Sequence, residues 1–358
     1  MQTPNKKLID WLRINEVRAF ELLEEITKLA NLIRPKYDFL YGCASGIQVS
    51  EALDSALTSG STTIGLDISK IDPAKKMKAV FAQLYELGSA SGEIGKFRWT
   101  RYTAIADALD ISNYSISEGY VSAAYLQIRS VIELSGSIAL LCRDAERIKL
   151  DESSKLKQSE WITSIVESAN KRGAGTRLDW INLAEKGLRK GKSKSYKPSE
   201  KFQDKSAIDL MNGVDLVDKS VSGSRHAYDY LSEYAHPNVG VISTRVQDAK
   251  HTNLPNGFEL QYRTYSTTAI GSVVVDGSLP WLVELLEITV EILQHLVVLD
   301  KQLAQLEKKL GELSKKVVRA GIKNYPELFE STFPCPCFSG KFVSSCCGRV
   351  IQLGSKKH

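Results

Sequence analysis

Four of the six cysteines lie close together near the end of the chain, at Cys335, Cys337, Cys346 and Cys347. Two pairs of soft thiolate ligands with eight residues between them suit the tetrahedral coordination of Zn²⁺. Because the four cysteines would occupy all four coordination positions of the ion, the spacing predicts a structural zinc ion, not a catalytic one. Free or oxidised thiols are the alternative, and a reducing compartment favours the metal over disulfides.

The segment 334–348 resembles the SEC-C module of the preprotein translocase ATPase tail and of many unrelated bacterial proteins. It reads Cys-Pro-Cys-Phe-Ser-Gly-Lys, followed by Cys-Cys-Gly. The resemblance implies a small zinc-binding fold that docks to a protein partner or to the ribosome. Two positions depart from the pattern. Phe338 replaces a glycine, so a positive φ there would cost about 1–2 kcal/mol, and Val343-Ser344-Ser345 replaces a basic run.

A second group of polar residues has the types that acid–base chemistry requires. Arg129 and Glu133 are four residues apart on a predicted helix, as are Ser232 and His236, with Asn238 just beyond. RNA cleavage without metal needs a base, an acid and a cation, which His236, Glu133 and Arg129 would supply. Ser232 and Asn238 would then orient the imidazole. The alternative is a buried polar network that joins two helices.

Arg-x-x-x-Glu on a long helix and Leu-Ser-x-Tyr-x-His-Pro on a later one resemble helical bacterial proteins related to the HEPN superfamily, over about residues 100–300. That resemblance implies a metal-independent ribonuclease that acts as a toxin or in antiphage defence, or an inactive nucleotide-binding relative. The usual nuclease signature is Arg, four to six residues, then His. Its only formal match is Arg245 to His251, in a predicted strand or loop, so Arg129 would have to supply the cation to His236.

A basic stretch between residues 186 and 201 is interrupted by glycine, serine and proline, which predicts an exposed loop. It could follow a nucleic-acid backbone, although a solvated loop is the simpler interpretation. The candidate contacts are Arg189, Lys190, Lys192, Lys194 and Lys197.

Hydrophobic periodicity predicts a mainly α fold, a large helical bundle with a small β-hairpin, a long helix and a zinc-binding tail. Helices are expected over 6–33, 72–87, 110–148, 154–171, 177–189, 207–217, 225–235 and 280–320, the second stopping at Gly88. Two β-branched and aromatic runs, 239–242 and 258–265, predict the hairpin. The expected divisions are 1–99, an N-terminal helical region; 100–300, the HEPN-like domain with a β insertion at 239–275; 280–320, the long helix or arm; and 321–358, the zinc tail.

The long helix has a seam of apolar residues spaced alternately three and four apart. It either projects in its second half as a coiled-coil arm, through which the chain could form a homodimer, or packs as one core helix. The seam comprises Leu282, Leu286, Thr289, Leu293, Leu296, Leu299, Leu303, Leu306, Leu310, Leu313 and Val317.

Positive charge is concentrated in the tail. Residues 301–358 have a net charge of +7 and residues 1–300 a net charge of −2, which makes the tail suitable for an acidic protein or a phosphate backbone. The N-terminal segment lacks the apolar core of a secretory signal, and Trp281–Leu299 carries a polar stripe that is atypical of a membrane span. A cytoplasmic protein is expected.

Overall fold

The computed structural model describes most of the chain. The described residues are 8–36, 73–147, 155–173, 206–235, 246–253, 259–265, 279–326, 329, 331, 333–339 and 341–348. The predicted helix at 177–189 and the strand at 239–242 lie outside them.

The described residues confirm a mainly α fold. The helices are α1 Leu8–Asn15, α2 Val17–Ile33, α3 Pro73–Ser117, α4 Val121–Arg147, α5 Lys155–Gly173, α6 Ser206–Asp218, α7 Ser224–Ala235 and α8 Leu279–Asn324. Two strands, β1 Val246–Asn253 and β2 Glu259–Tyr265, form an antiparallel hairpin in which His251 pairs with Gln261.

The chain divides into two compact units. The first unit has the bounds Met1–Lys36, Thr100–Leu140 and Ala207–Asp300, and the second has the bounds Tyr37–Trp99, Leu141–Ser206 and Lys301–His358. The cysteine cluster therefore belongs to the second unit. Arg129, Glu133 and Ser232 belong to the first.

Three helix boundaries differ from the sequence-based expectation. The first predicted helix is two helices, with Glu16 between them in a non-helical conformation. The expected stop at Gly88 is wrong, because α3 continues through it to Ser117. A glycine inside a helix costs only about 1 kcal/mol relative to alanine, which tertiary contacts can offset.

The helix break expected at Gly88 occurs instead at Gly119, whose φ of 83° lies in the left-handed region. The N–H of Tyr120 donates to the carbonyl of Ser115 at 2.6 Å, a pattern that satisfies the last carbonyls of a helix. The α4 helix then begins at Val121, so the predicted start near Asp110 is also wrong.

The apolar seam of α8 is covered inside the chain. Ten of its eleven residues, from Leu282 to Leu313, are buried, and Val317 is half-buried. A projecting arm would leave the second half of this seam exposed. The burial of both halves of the seam favours the core-helix alternative over a projecting arm.

The α4 helix is long and apolar, and its residues up to Leu140 belong to the first unit. By length and composition it could cross a membrane, but 61% of its most apolar window is buried within the protein, as in the core helix of a soluble protein. Its backbone meets α6 very closely, because a Cβ on Gly136 would lie 2.8 Å from the backbone of Gly213. This contact holds α6 against α4.

In the second unit, an ion pair whose side chains are little exposed to solvent joins α4 to α5. Arg172, which is almost buried, and the hydroxyl of Ser168 both donate to the carboxylate of Asp144. Burial by itself raises the pKa of Asp144, but the hydrogen bonds from Arg172 and Ser168 outweigh it and hold the pKa below the usual value. The ionised carboxylate therefore stabilises the folded state.

Asp144→Asn should lower the free energy of unfolding by about 1.5–3 kcal/mol at pH 7, since it removes charge-assisted hydrogen bonds. A depressed pKa stabilises the protein above the unfolded value of about 3.9, so the loss should shrink as the pH falls through and below about 4. Urea unfolding at several pH values measures this. Asp229→Asn, which alters the exposed pair with Arg225, should cost much less, because solvent screens an exposed pair. Equal losses in the two variants would contradict the prediction.

Candidate functional sites

The structure brings the four predicted metal ligands together. The sulfur atoms of Cys335, Cys337, Cys346 and Cys347 all lie within 4.8 Å of one another. The Cys337 sulfur is 3.4 Å from those of Cys335 and Cys346, and the Cys346 and Cys347 sulfurs are 3.9 Å apart. The cluster thus offers four thiol ligands to one ion.

These distances suit a tetrahedral metal and not a disulfide. A disulfide joins sulfurs at about 2.05 Å, whereas four sulfurs around zinc at about 2.3 Å lie roughly 3.8 Å apart. All four cysteines are free thiols. Three of them are buried, so each thiolate would be costly without a cation to neutralise it.

Within the cluster the thiols share their protons unequally. The pKa of Cys337 lies far below its usual value, because hydrogen bonds with Cys335 and Cys347 favour its thiolate. Hydrogen bonding to Cys337 raises the pKa of Cys335 to about 11, and hydrogen bonds to Cys335 and Cys337 raise that of Cys347. A bound divalent cation would displace the protons of Cys335 and Cys347.

Donors outside the four side chains also face the sulfurs. Backbone N–H groups of Cys337 and Cys347 donate to the Cys335 sulfur, and the hydroxyl oxygen of Ser339 lies 3.1 Å from the Cys346 sulfur. Such donors orient thiolates around a metal.

Phe338 has the positive φ that its place in the turn suggested. Its φ is 52°, and it is the only non-glycine residue with a positive φ in the part of the chain that the structure describes. The cost is about 1–2 kcal/mol. Its ring packs edge-on against Tyr85 of α3, with the centroids 5.8 Å apart.

The segment that carries the cysteines is packed onto helices of its own unit. A buried cluster joins residues of α3 and α8 to those of the segment, and its members are Leu84, Val318, Ile322, Phe329, Cys335, Cys337, Val343 and Cys347. The hydroxyl of Tyr85 also donates to the carbonyl of Pro334 at 2.7 Å. We name residues 333–348 the cysteine module.

Gly321, Pro326 and Pro334 set residues 321–358 off in the sequence, which predicts a tail whose removal leaves the helical body folded. The buried cluster alters that expectation, because removal of residues 321–358 would take away the apolar partners of Leu84 and Val318. The tail contributes to the core of the second unit.

The predicted polar residues of the first unit also meet. Arg129 Nε donates to Ser232 Oγ at 3.1 Å, and the guanidinium lies 3.0 Å from a carboxylate oxygen of Glu133. Tyr228, which the sequence reasoning did not single out, lies between them. Its hydroxyl accepts from Arg129 at 2.9 Å and donates to Glu133 at 3.1 Å.

This network neutralises its own charges. Arg129 is bonded to Glu133, Ser232 and Tyr228, and its guanidinium carbon lies 5.0 Å from the centre of the Tyr228 ring. The side chains of Arg129 and Glu133 are each 27% exposed. The arrangement holds α4 to α7 and leaves one edge of the ion pair open to solvent.

The other predicted site residues lie outside the described part of the chain. They are His236, Asn238, Arg189, Lys190, Lys192, Lys194 and Lys197, together with Arg245 of the formal nuclease match. The α7 helix is described as far as Ala235, the residue before His236.

An aromatic cluster lies along the same pair of helices, with a tryptophan from α8. Tyr230 stacks on Trp281 at 5.7 Å and donates or accepts a hydrogen bond with the Tyr234 hydroxyl at 2.8 Å. Burial and the neighbouring hydroxyls of Tyr230 and Tyr234 raise the pKa of Tyr125. These aromatic residues were not singled out in the sequence analysis.

Comparison of the chain with protein-family models, with curated proteins and with solved structures gave no match.

Glu133→Gln should lower the free energy of unfolding by about 1.5–3 kcal/mol, because Arg129 loses the carboxylate that neutralises it in a partly buried network. Thermal or urea unfolding measures the loss. Glu287→Gln is the matched control, since its pair with Arg18 is about half exposed and should contribute no more than about 1 kcal/mol. An unchanged stability in Glu133→Gln would mean that solvent screens the pair fully.

Proposed function

We propose that the chain binds one structural zinc ion through Cys335, Cys337, Cys346 and Cys347, in a module of the SEC-C type. The observation that carries this proposal is the approach of all four sulfurs to within 4.8 Å of one another. Four thiolates favour zinc over harder divalent cations such as Mg²⁺ or Ca²⁺. With no ligand position left for substrate, the ion would stabilise the module.

The purified wild-type protein should contain one zinc ion per chain, measured by elemental analysis. Cys346→Ser/Cys347→Ser should lose it, because two hard hydroxyls replace two soft ligands. Cys142→Ala is the control, since this buried cysteine is not part of the cluster, and it should keep its zinc. Equal zinc in the wild type and the double variant, or none in the wild type, would contradict the proposal.

We propose further that the protein acts in the cytoplasm as a non-catalytic adaptor, in which the module and the helical body each hold a partner. Phe342 supports this, because it stands 59% exposed beside the exposed Lys341 in the module. Aromatic side chains are enriched on surfaces that contact another protein. The ribosome or another protein is the proposed partner of this surface.

A HEPN-like ribonuclease is a second candidate function. The observation that favours it is the contact of Arg129 with Ser232, one helical turn before His236. In that case Arg129 would stabilise the charge on phosphorus, Glu133 would serve as the acid, His236 as the base and Asn238 as its orienting partner. Arg129 and Glu133 already neutralise each other, which leaves less positive charge for a phosphate, so the adaptor is preferred.

If the protein is a ribonuclease, the purified protein should cleave total RNA without added metal. The variant His236→Ala should then lower the cleavage rate by about 10²–10⁴-fold. His226→Ala is the matched control, because it removes an exposed imidazole of α7 and should leave cleavage unchanged. Absence of cleavage by the wild type would reject the ribonuclease and leave the adaptor. Equal cleavage by both variants would remove His236 from any catalytic role.

A further inference from the structure

Gly88 of α3 and Pro336 of the cysteine module lie in direct backbone contact. A Cβ built on Gly88 would lie 1.7 Å from the carbonyl oxygen of Pro336 and 2.7 Å from its carbonyl carbon. Real Cβ atoms do not approach backbone so closely, so only glycine fits here. The helix therefore has a gap in its side-chain surface at the position where the metal-binding turn touches it.

The module carries the complementary feature one helical turn away. Phe338 occupies a left-handed conformation that glycine adopts without strain, and its ring packs against Tyr85. Strained backbone persists where the surroundings hold it in place. The two contacts interlock, since the helix has no side chain at Gly88 and the module has a large one at Phe338.

The contact of the cysteine module with α3 and α8 also includes buried apolar side chains and a hydrogen bond. Leu84, Val318 and Ile322 of the helices are buried together with Phe329 and Val343, and the Tyr85 hydroxyl bonds to the Pro334 carbonyl. Three of the proposed zinc ligands, Cys335, Cys337 and Cys347, are members of this same buried cluster. The residues that would hold the ion and the residues that cover α3 and α8 are therefore partly the same.

We infer that the surface formed by Tyr85 and Gly88 of α3 is a docking site for the chain's own cysteine module, and that zinc controls its occupancy. The inference rests on the proposed zinc site. Zinc orders the module, the ordered module covers Leu84, Val318 and Ile322, and loss of the metal uncovers them. By reciprocity, docking must strengthen zinc binding by the same factor as zinc strengthens docking.

The test compares Gly88→Ala with Gly311→Ala in the full-length protein. Both changes place a methyl group on a helix of the second unit, but a Cβ at Gly311 would meet only the Ser91 side chain at an ordinary 3.4 Å. Gly88→Ala should keep one zinc ion per chain and bind it about 5- to 150-fold more weakly, the usual range of coupling between two sites. Gly311→Ala should bind zinc as the wild type does.

Amide hydrogen exchange reports docking directly. In the zinc-loaded wild type, the amides of residues 84–91 should be protected, and removing zinc with a chelator should speed their exchange about tenfold or more. In zinc-loaded Gly88→Ala the exchange should already be fast. Phe338→Gly provides a second variant from the module side, which should retain zinc and also lose the protection, if Gly88→Ala does not fold.

The outcomes separate this inference from the zinc proposal. Zinc-loaded Gly88→Ala and Phe338→Gly with wild-type protection of residues 84–91 would overturn the docking site and leave the zinc site intact. A wild-type protein that contains no zinc would overturn the zinc proposal, and with it the control of docking by zinc. If a chelator removes zinc from the zinc-loaded wild type and the amides of residues 84–91 stay protected, only the coupling between zinc and docking is overturned.

Discussion

The packing of the cysteine module against α3 at Gly88 is the constraint on which the second unit depends. A helix can bury a turn of backbone this closely only where it presents no side chain, and the carbonyl of Pro336 occupies that space. From this contact follow the burial of Leu84 between α3 and the module and the edge-on contact of Tyr85 with Phe338. A segment that sequence reasoning treats as a tether is thereby part of a hydrophobic core.

The core and the cysteine cluster support each other for a physical reason. A module of about sixteen residues cannot bury enough apolar surface to fold alone, so its order must come from a metal, from a larger surface, or from both. Here the thiols face one another while Cys335, Cys337 and Cys347 are also enclosed by the helical core. Four thiolates in that setting would repel one another strongly, and a divalent cation is the simplest way to hold them together.

The first unit is organised by a different kind of contact. Its α4 and α7 helices are joined by four side chains, each of which makes a hydrogen bond or an ion pair with another of the four: Arg129, Glu133, Tyr228 and Ser232. Such a network specifies how two helices pair, because a shifted register would leave a charge unpaired in a partly buried position. The pairing of charges favours a structural role, since Arg129 and Glu133 each already have an opposite charge within the network.

The sequence by itself determined the helical class, the α8 seam, the second hairpin strand and the identity of the four thiol ligands. These depend on local periodicity or on ligands near one another in the chain, and the structure confirms the thiol cluster as a group that could hold a metal ion. It also indicated that Arg129, Glu133 and Ser232 would meet, but not that Tyr228 would join them. Only the tertiary structure decided that α3 continues through Gly88 and that the seam of α8 is covered within the chain. Whether a glycine ends a helix or receives a neighbouring backbone depends on residues about 250 positions away, and local propensity carries no information about them.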